Sequence, residues 1–207
     1  MSLHNQHLDI MNRPAEYADF DGLRILVPST VYHPHEWSST RFLLSELPDV
    51  RGLGVLEIGG GSGALSLAIC KRGARKVVVT DCSERACATM ECNALLNGLD
   101  LDVRAGNLFA PVAGETFDLV IFNLPLMDKA VKNPSESALC DPDGVLLRRF
   151  LLGLPGVVKE NGRALFTYAS ISAPLPVEHS RDIECVATTL RMGGEVFRVM
   201  RWGRGRK

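Results

Sequence analysis

Three polar side chains stand at the ends of apolar runs: Glu57 in Val55–Ile58, Asp81 after Lys76–Thr80, and Asn123 after Asp118–Phe122. A glycine cluster follows the first, so that Gly59, Gly61 and Gly63 alternate in a Glu-x-Gly-x-Gly-x-Gly pattern. Glycines in a strand-to-helix turn let the backbone bend sharply and let a ligand approach without a Cβ in the way. The helix that follows then presents unpaired N–H groups to a negative ligand group. Asp81, 24 residues after Glu57, can accept both ribose hydroxyl hydrogens of a nucleoside. It could instead cap the next helix, a task open to Ser83. Cys82 would lie beside the base as an apolar neighbour. In Gly106-Asn107-Leu108-Phe109 the Asn107 oxygen can meet an adenine amino group, with Leu108 beside it, or Asn107 can simply form a turn. Asn123, followed by Leu124-Pro125-Leu126, can accept from a substrate N–H and so orient the nitrogen lone pair, with the Pro125 backbone stiffening the wall.

Alternating strands and helices must hold these groups. The pattern predicts strands at Leu23–Val27, Val55–Ile58, Lys76–Asp81, Leu101–Ala105, Asp118–Asn123, Arg163–Tyr168 and Glu195–Trp202. Helices are expected from Ser38 or Ser39 to Pro48, after Gly63, from Ser83 to Gly98 with Cys87, Met90 and Ala94 inward, over Val145–Val158, and near Val177–Leu190. Asn161-Gly162 reads as a turn, and residues 127–143 as a polar loop. Residues 1–20 read as a loose arm, with a short helix near Pro14–Phe20 at most, and residues 21–207 as one domain. Such βα alternation gives a mostly parallel sheet covered on both faces, with ligands outside the carboxyl ends of its strands.

The totals narrow the partners. With 207 residues, 46% hydrophobic and 23% charged, the chain has the composition of an ordinary globular domain. A net charge of −1 argues against a nucleic-acid or membrane partner. The basic tail from Arg198 to Lys207 reads as a solvated strand end. Six cysteines without a Cys-x-x-Cys pair or zinc spacing, and no signal peptide or membrane span, suggest reduced thiols and a cytoplasmic setting. His33-x-His35 alone is too little for a metal site. The oligomeric state is left open.

The glycine pattern resembles motif I of the class I S-adenosylmethionine (SAM)-dependent methyltransferases. The chain as a whole is similar to the release-factor glutamine methyltransferase (HemK-like) group. That group carries Asn-Pro-Pro-Tyr where this chain has Asn123-Leu124-Pro125-Leu126. It carries Val-Tyr/Phe-x-Pro-x-Glu-Asp-Ser/Thr where this chain has Val31-Tyr32-His33-Pro34-His35-Glu36-Trp37-Ser38. Its Asp-Leu-Phe corresponds to Asn107-Leu108-Phe109. Asp143-Gly144 and Asn161-Gly162 stand where the group opens a helix and turns before the fifth strand.

The resemblance, over about residues 23–200, implies a Rossmann-like α/β fold with a seven-stranded sheet and an antiparallel last strand. It implies SAM as cofactor, no metal, and direct in-line methyl transfer. Glu57, Gly59, Gly61, Gly63, Asp81, Cys82, Asn107, Leu108, Asn123 and Ser38 are then cofactor-binding. Asn123 and Pro125 are catalytic, and Tyr32, His35, Trp37 and Leu126 meet the acceptor. His33, His35, Glu36 and Asp128 are candidates to receive a proton, none of them obligatory. Leu126 cannot stack on an amide as the family's tyrosine does, which favours a small amine or amide, or an unusual protein side chain, as acceptor. Oxygen- or carbon-directed transfer is the alternative within the enzyme class, and a non-catalytic SAM-binding partner subunit the alternative outside it. A nicotinamide enzyme would need Gly-x-Gly-x-x-Gly, and Ala64 stands in the place of its third glycine.

Overall fold

The computed structural model describes residues 3–179, 181–191 and 193–204, so the last basic residues of the tail, Arg206 and Lys207, lie outside the described residues. In chain order the elements are α1 (Leu3–Met11), β1 (Glu16–Phe20), β2 (Leu23–Val27), α2 (Ser39–Ser45), β3 (Gly54–Ile58), α3 (Ala64–Lys71) and β4 (Lys76–Asp81). There follow α4 (Glu84–Asn97), β5 (Asp102–Ala105), β6 (Phe117–Phe122), α5 (Val145–Val157), β7 (Val158–Ala169), β8 (Ile183–Leu190) and β9 (Val196–Trp202).

Seven strands form one sheet in the order β5-β4-β3-β6-β7-β9-β8. β3 to β7 run parallel, and β9 lies antiparallel to both of its neighbours. β9, the last strand, is therefore the one that runs against the rest, as expected. Period-two alternation divides the core. Val55, Leu119 and Ile121 face α2 and α3, while Leu56, Ile58, Val120 and Phe122 face α5. The reversal of strand order lies between β3 and β6, so Ile58 and Phe122, paired in register, flank the crevice where such sheets bind ligands.

Local chemistry fixes the helix ends near that crevice. Ser38 caps α2 by accepting from the Arg41 N–H, and Ser83 caps α4 by accepting from the Ala86 N–H. Gly98 closes α4 in the left-handed region, and Cys87, Met90 and Ala94 are buried on its inner face.

Three expectations are corrected. The arm is ordered: α1 buries Met11 against Met127, Leu139 and Cys140, and β1 pairs with β2 around Asp21-Gly22. Both turn residues have positive φ, as a two-residue hairpin turn requires. Fully buried Asn93 on α4 then clasps the backbone of β2, accepting from the Leu26 N–H and donating to the Leu26 carbonyl, each at 2.8 Å.

The helix expected near Val177–Leu190 is instead a 3-10 turn at Val177–His179 followed by β8. Val186, Thr188 and Thr189 are β-branched, and the strand pairs with β9 at Thr188 and Thr189, with Val186 bulged out at a register shift between Cys185 and Ala187. Asn161-Gly162 does not separate helix from strand, because β7 runs through it. The register passes from Phe117↔Val158 to Leu119↔Arg163, so residues 159–162 bulge opposite Asp118, which accepts from Lys159 Nζ at 2.8 Å.

The loop after β6 is also more structured than its composition suggests. It holds two short 3-10 turns, and buried Asp141 accepts from the Leu146 and Leu147 N–H groups at the start of α5.

Candidate active site

A cavity of about 330 Å³ opens at the carboxyl ends of β3, β4 and β6. It brings together Glu57, Gly59, Gly61, Asp81, Cys82, Asn107, Leu108, Asn123 and Pro125, and Tyr32 reaches it from the segment before α2. Gly63 stands just behind, at the start of α3.

The glycine turn explains itself atom by atom. Gly59, Gly61 and Gly63 all have left-handed φ, between 58° and 78°. Gly60 meets a different constraint: a Cβ there would sit 2.3 Å from Val79 Cγ2 and 2.5 Å from Met90 Sδ. At Gly61 a Cβ would point into open space, its nearest neighbour Val31 Cγ1 at 4.0 Å, so the missing side chain leaves room beside the cavity. Asp81 fastens the turn, its Oδ2 accepting from the Gly61 N–H at 3.0 Å and its Oδ1 from the Ser83 N–H at 2.9 Å. Each carboxylate oxygen keeps a further lone pair for a ligand hydroxyl.

Glu57 is buried, with 2% of its surface exposed, and accepts from the Ser66 hydroxyl on α3. Burial, reinforced by the nearby Asp81 charge and opposed by the Ser66 hydrogen bonds, pushes its carboxyl up to about 8. Leu108, held at positive φ, gives its carbonyl to the Thr80 hydroxyl at 3.0 Å and presents an apolar wall. Asn107 lines the cavity, and its side-chain oxygen accepts from Arg149 Nη2 at 3.3 Å.

Asn123 is gripped from two sides. Its Nδ2 donates to Thr40 Oγ1 at 3.0 Å, and its Oδ1 accepts from Thr167 Oγ1 at 3.1 Å. Both threonines are buried, Thr40 on α2 and Thr167 on β7. An amide carries two donors and two lone pairs, so one of each remains. Sequence reasoning passed over both threonines, which lie 83 and 44 residues away and carry no local signal.

Four other expected residues are not on the cavity wall. Ser38 is consumed by the α2 cap and is 1% exposed. Trp37 is 70% exposed on the surface. His35 packs behind Tyr32, ring to ring at 6.3 Å. Leu126 faces two small recesses behind the loop, and its carbonyl accepts from Ser172 Oγ at 2.8 Å. Of the proton acceptors considered, His33 pairs with Glu16 at 3.1 Å, Asp128 accepts from the Asp143 N–H, and Glu36 is exposed.

Residues 25–138 match the methyltransferase small domain family. The chain belongs to that family. It is 32% identical over 160 residues, covering 74% of this chain and 80% of the relative, to a Methanocaldococcus jannaschii protein provisionally named a protein N5-glutamine methyltransferase. It is 36% identical over 162 residues to the ribosomal protein L11 methyltransferase of Thermotoga maritima, covering 78% of this chain and 58% of that enzyme. Among solved structures, the Thermus thermophilus 16S rRNA N2 G1207 methyltransferase with AdoMet and guanosine superposes with a TM-score of 0.69 at 18% identity. That match covers 93% of this chain and 50% of that one, and speaks for the fold. This methyltransferase gathers Glu57, Gly59, Gly61, Asp81 and Asn123 around one cavity.

Proposed function

We propose that the protein is a SAM-dependent methyltransferase that methylates an acceptor nitrogen of a small molecule or a protein side chain. The observation that carries the acceptor half is Asn123, pinned by Thr40 and Thr167 at the end of β6 in the same cavity as the glycine turn and Asp81. The M. jannaschii relative, with its glutamine-directed name, supports a nitrogen acceptor.

The cavity suits the cofactor. Asp81 would receive the ribose hydroxyls, the Gly59–Gly61 turn the methionine part, and Leu108 with Ile58 the apolar faces of the base. Glu57 would take a cationic group, for which a carboxyl raised to about 8 has much to gain. When bound, SAM supplies an electrophilic methyl group on a sulfonium. The chain's own contribution is positioning and drying. The remaining lone pair of Asn123 accepts an N–H of the acceptor and turns the nitrogen lone pair toward the methyl carbon. The Pro125 backbone and Tyr32 wall the approach. The proton lost after transfer needs no dedicated base, since a methylated ammonium can release it to water.

The test is transfer of radiolabelled methyl from SAM to a glutamine peptide, to small amines and amides, and to RNA. With the acceptor in hand, Asn123→Ala lowers kcat about a hundredfold, as expected for loss of one preorganised hydrogen-bonding group, while affinity for S-adenosylhomocysteine (SAH) holds. Unchanged kcat in that variant, or transfer confined to oxygen or carbon, would refute the reading.

A further inference from the structure

α1 touches both flanks of the cavity mouth. On one side the His7 ring stacks on Tyr32, with centroids 6.0 Å apart and 17° between the planes. The Met11 carbonyl, at the end of α1, accepts from the Thr30 N–H at 2.7 Å. Thr30 and Tyr32 both line the cavity. On the other side α1 packs on the 3-10 turn at Pro134–Ala138, whose Ser137 and Ala138 line the same cavity. Leu139 and Cys140, which follow that turn, are buried with Met11 and Met127, and Leu8 and Tyr32 pack against the group. The helix thus reaches from one wall to the other.

These contacts lie at the acceptor end. The Met127 N–H donates to the Leu139 carbonyl at 3.0 Å, and the Met127 carbonyl accepts from the Asp141 N–H at 2.9 Å, so the turn is tied to the chain directly after the Asn123 loop. His7, Ala138, Leu124 and Leu126 share a recess of about 20 Å³. Asp81 stands at the end of β4, across β3 from the strand that carries Asn123. The group under α1 is also separate: Met11, Met127, Leu139 and Cys140 belong to neither of the two cores that flank the sheet. A helix of nine residues is too short to be stable alone in water, so α1 stays folded through those few contacts. Segments with few buried apolar contacts open at a lower free energy than the core.

We infer that α1 and the Pro134–Ala138 turn form a lid over the acceptor end of the cavity, and that the acceptor is a small molecule enclosed beneath it. The inference rests on the methyltransferase reading and narrows its acceptor. A side chain on a polypeptide brings its own backbone, which must leave the site in both directions, and α1 bridges the mouth. A free small molecule can be covered completely, and the closed lid then keeps water from the transferring methyl group. Entry requires the helix and the turn to lift together, since the same buried group, Met11 with Met127, Leu139 and Cys140, holds both.

Cys140 reports the lid directly. It is 4% exposed beneath α1, and Cys87, 8% exposed on the inner face of α4, is the control in the main body. The experiment follows alkylation of each cysteine by iodoacetamide in the native protein, resolved by peptide mass spectrometry, with SAH binding measured on the same samples. The account predicts that Cys140 reacts about tenfold or more faster than Cys87. Met11→Ala should accelerate Cys140 about thirtyfold, as expected on truncating a buried methionine, with the Cys87 rate and SAH affinity unchanged. A Cys140 rate as slow as that of Cys87, or unaltered by Met11→Ala, overturns the lid. Equal acceleration of both cysteines makes α1 part of the main body and overturns it too. Ser137→Trp adds bulk to the wall under the lid and should hold SAH affinity within about twofold, whereas a loss of about tenfold or more assigns the lid to the cofactor end and overturns the acceptor role. In the transfer assay a glutamine peptide methylated as readily as the small amines and amides overturns the enclosure. A lid that fails these tests with SAH binding intact leaves the methyltransferase reading standing, and absent SAH binding falls on that reading alone.

Discussion

Replacing Glu57 by glutamine tests how the cavity holds its buried acid. The carboxyl is 2% exposed and raised from an ordinary 4.5 to about 8, chiefly by burial. Between those values the unfolded chain has released the proton and the folded protein keeps it. The unfolded state therefore binds fewer protons, and stability falls as pH rises from 4.5 to about 8. The slope is about 1.4 kcal/mol per pH unit, so the interval amounts to roughly 5 kcal/mol, complete once the folded acid has ionised. In the Glu57→Gln variant the amide would keep an oxygen for the Ser66 hydroxyl and remove the titration. Urea unfolding of both proteins from pH 5.5 to pH 8 should show the variant gaining on the wild type by about 3 kcal/mol, with the m-value unchanged. A stability difference that stays constant over that range would refute the burial argument. That result would mean that Glu57 is ionised in the folded protein and solvated through the cavity.

Two further predictions concern the walls. Thr167→Val removes the donor to Asn123 Oδ1 from a site that is 1% exposed, and should lower kcat about tenfold with little change in SAH affinity, whereas Thr167→Ser, which keeps the hydroxyl, should hold kcat near the wild-type value. A merely structural threonine would lower melting temperature and leave kcat per folded molecule unchanged. Gly60→Ala drives a methyl group into Val79 and Met90 and should cost about 1–3 kcal/mol in unfolding experiments, together with a loss of SAH affinity as the turn shifts. Wild-type stability in that variant would mean the glycine turn is looser than described.

The residues along the sheet edge were legible because they are local. A short apolar run ending in an acid, followed at once by spaced glycines, names strand, turn and helix within ten residues, and Ser83 and Gly98 bracket α4 in the same way. The hairpin before the sheet was legible too, and was missed: Asp21-Gly22 is a strong two-residue turn signal, overlooked because Glu16–Phe20 is polar. Polarity misleads there because β1 exposes most of its side chains and buries Phe20 alone. β8 failed for a related reason. Its burial alternates only weakly at the sheet edge, so the period-two signal is faint, although Val186, Thr188 and Thr189 favour a strand. The grip on Asn123 had no signal to read. Thr40 and Thr167 come from opposite ends of the domain, and only the packing of α2 and β7 beside β6 makes them neighbours.

The central claim is that the cavity at the ends of β3, β4 and β6 holds the nucleoside part of SAM through Asp81. Isothermal titration of the protein with SAH, beside Asp81→Ala and with NADH as the comparison ligand, tests it most directly. The account predicts a dissociation constant of about micromolar for SAH and about a hundredfold loss in the variant, the worth of two charge-assisted hydrogen bonds to the ribose. It predicts no heat with NADH. Absent binding of SAH, or heat with NADH alone, would contradict it and make the glycine turn a dinucleotide site.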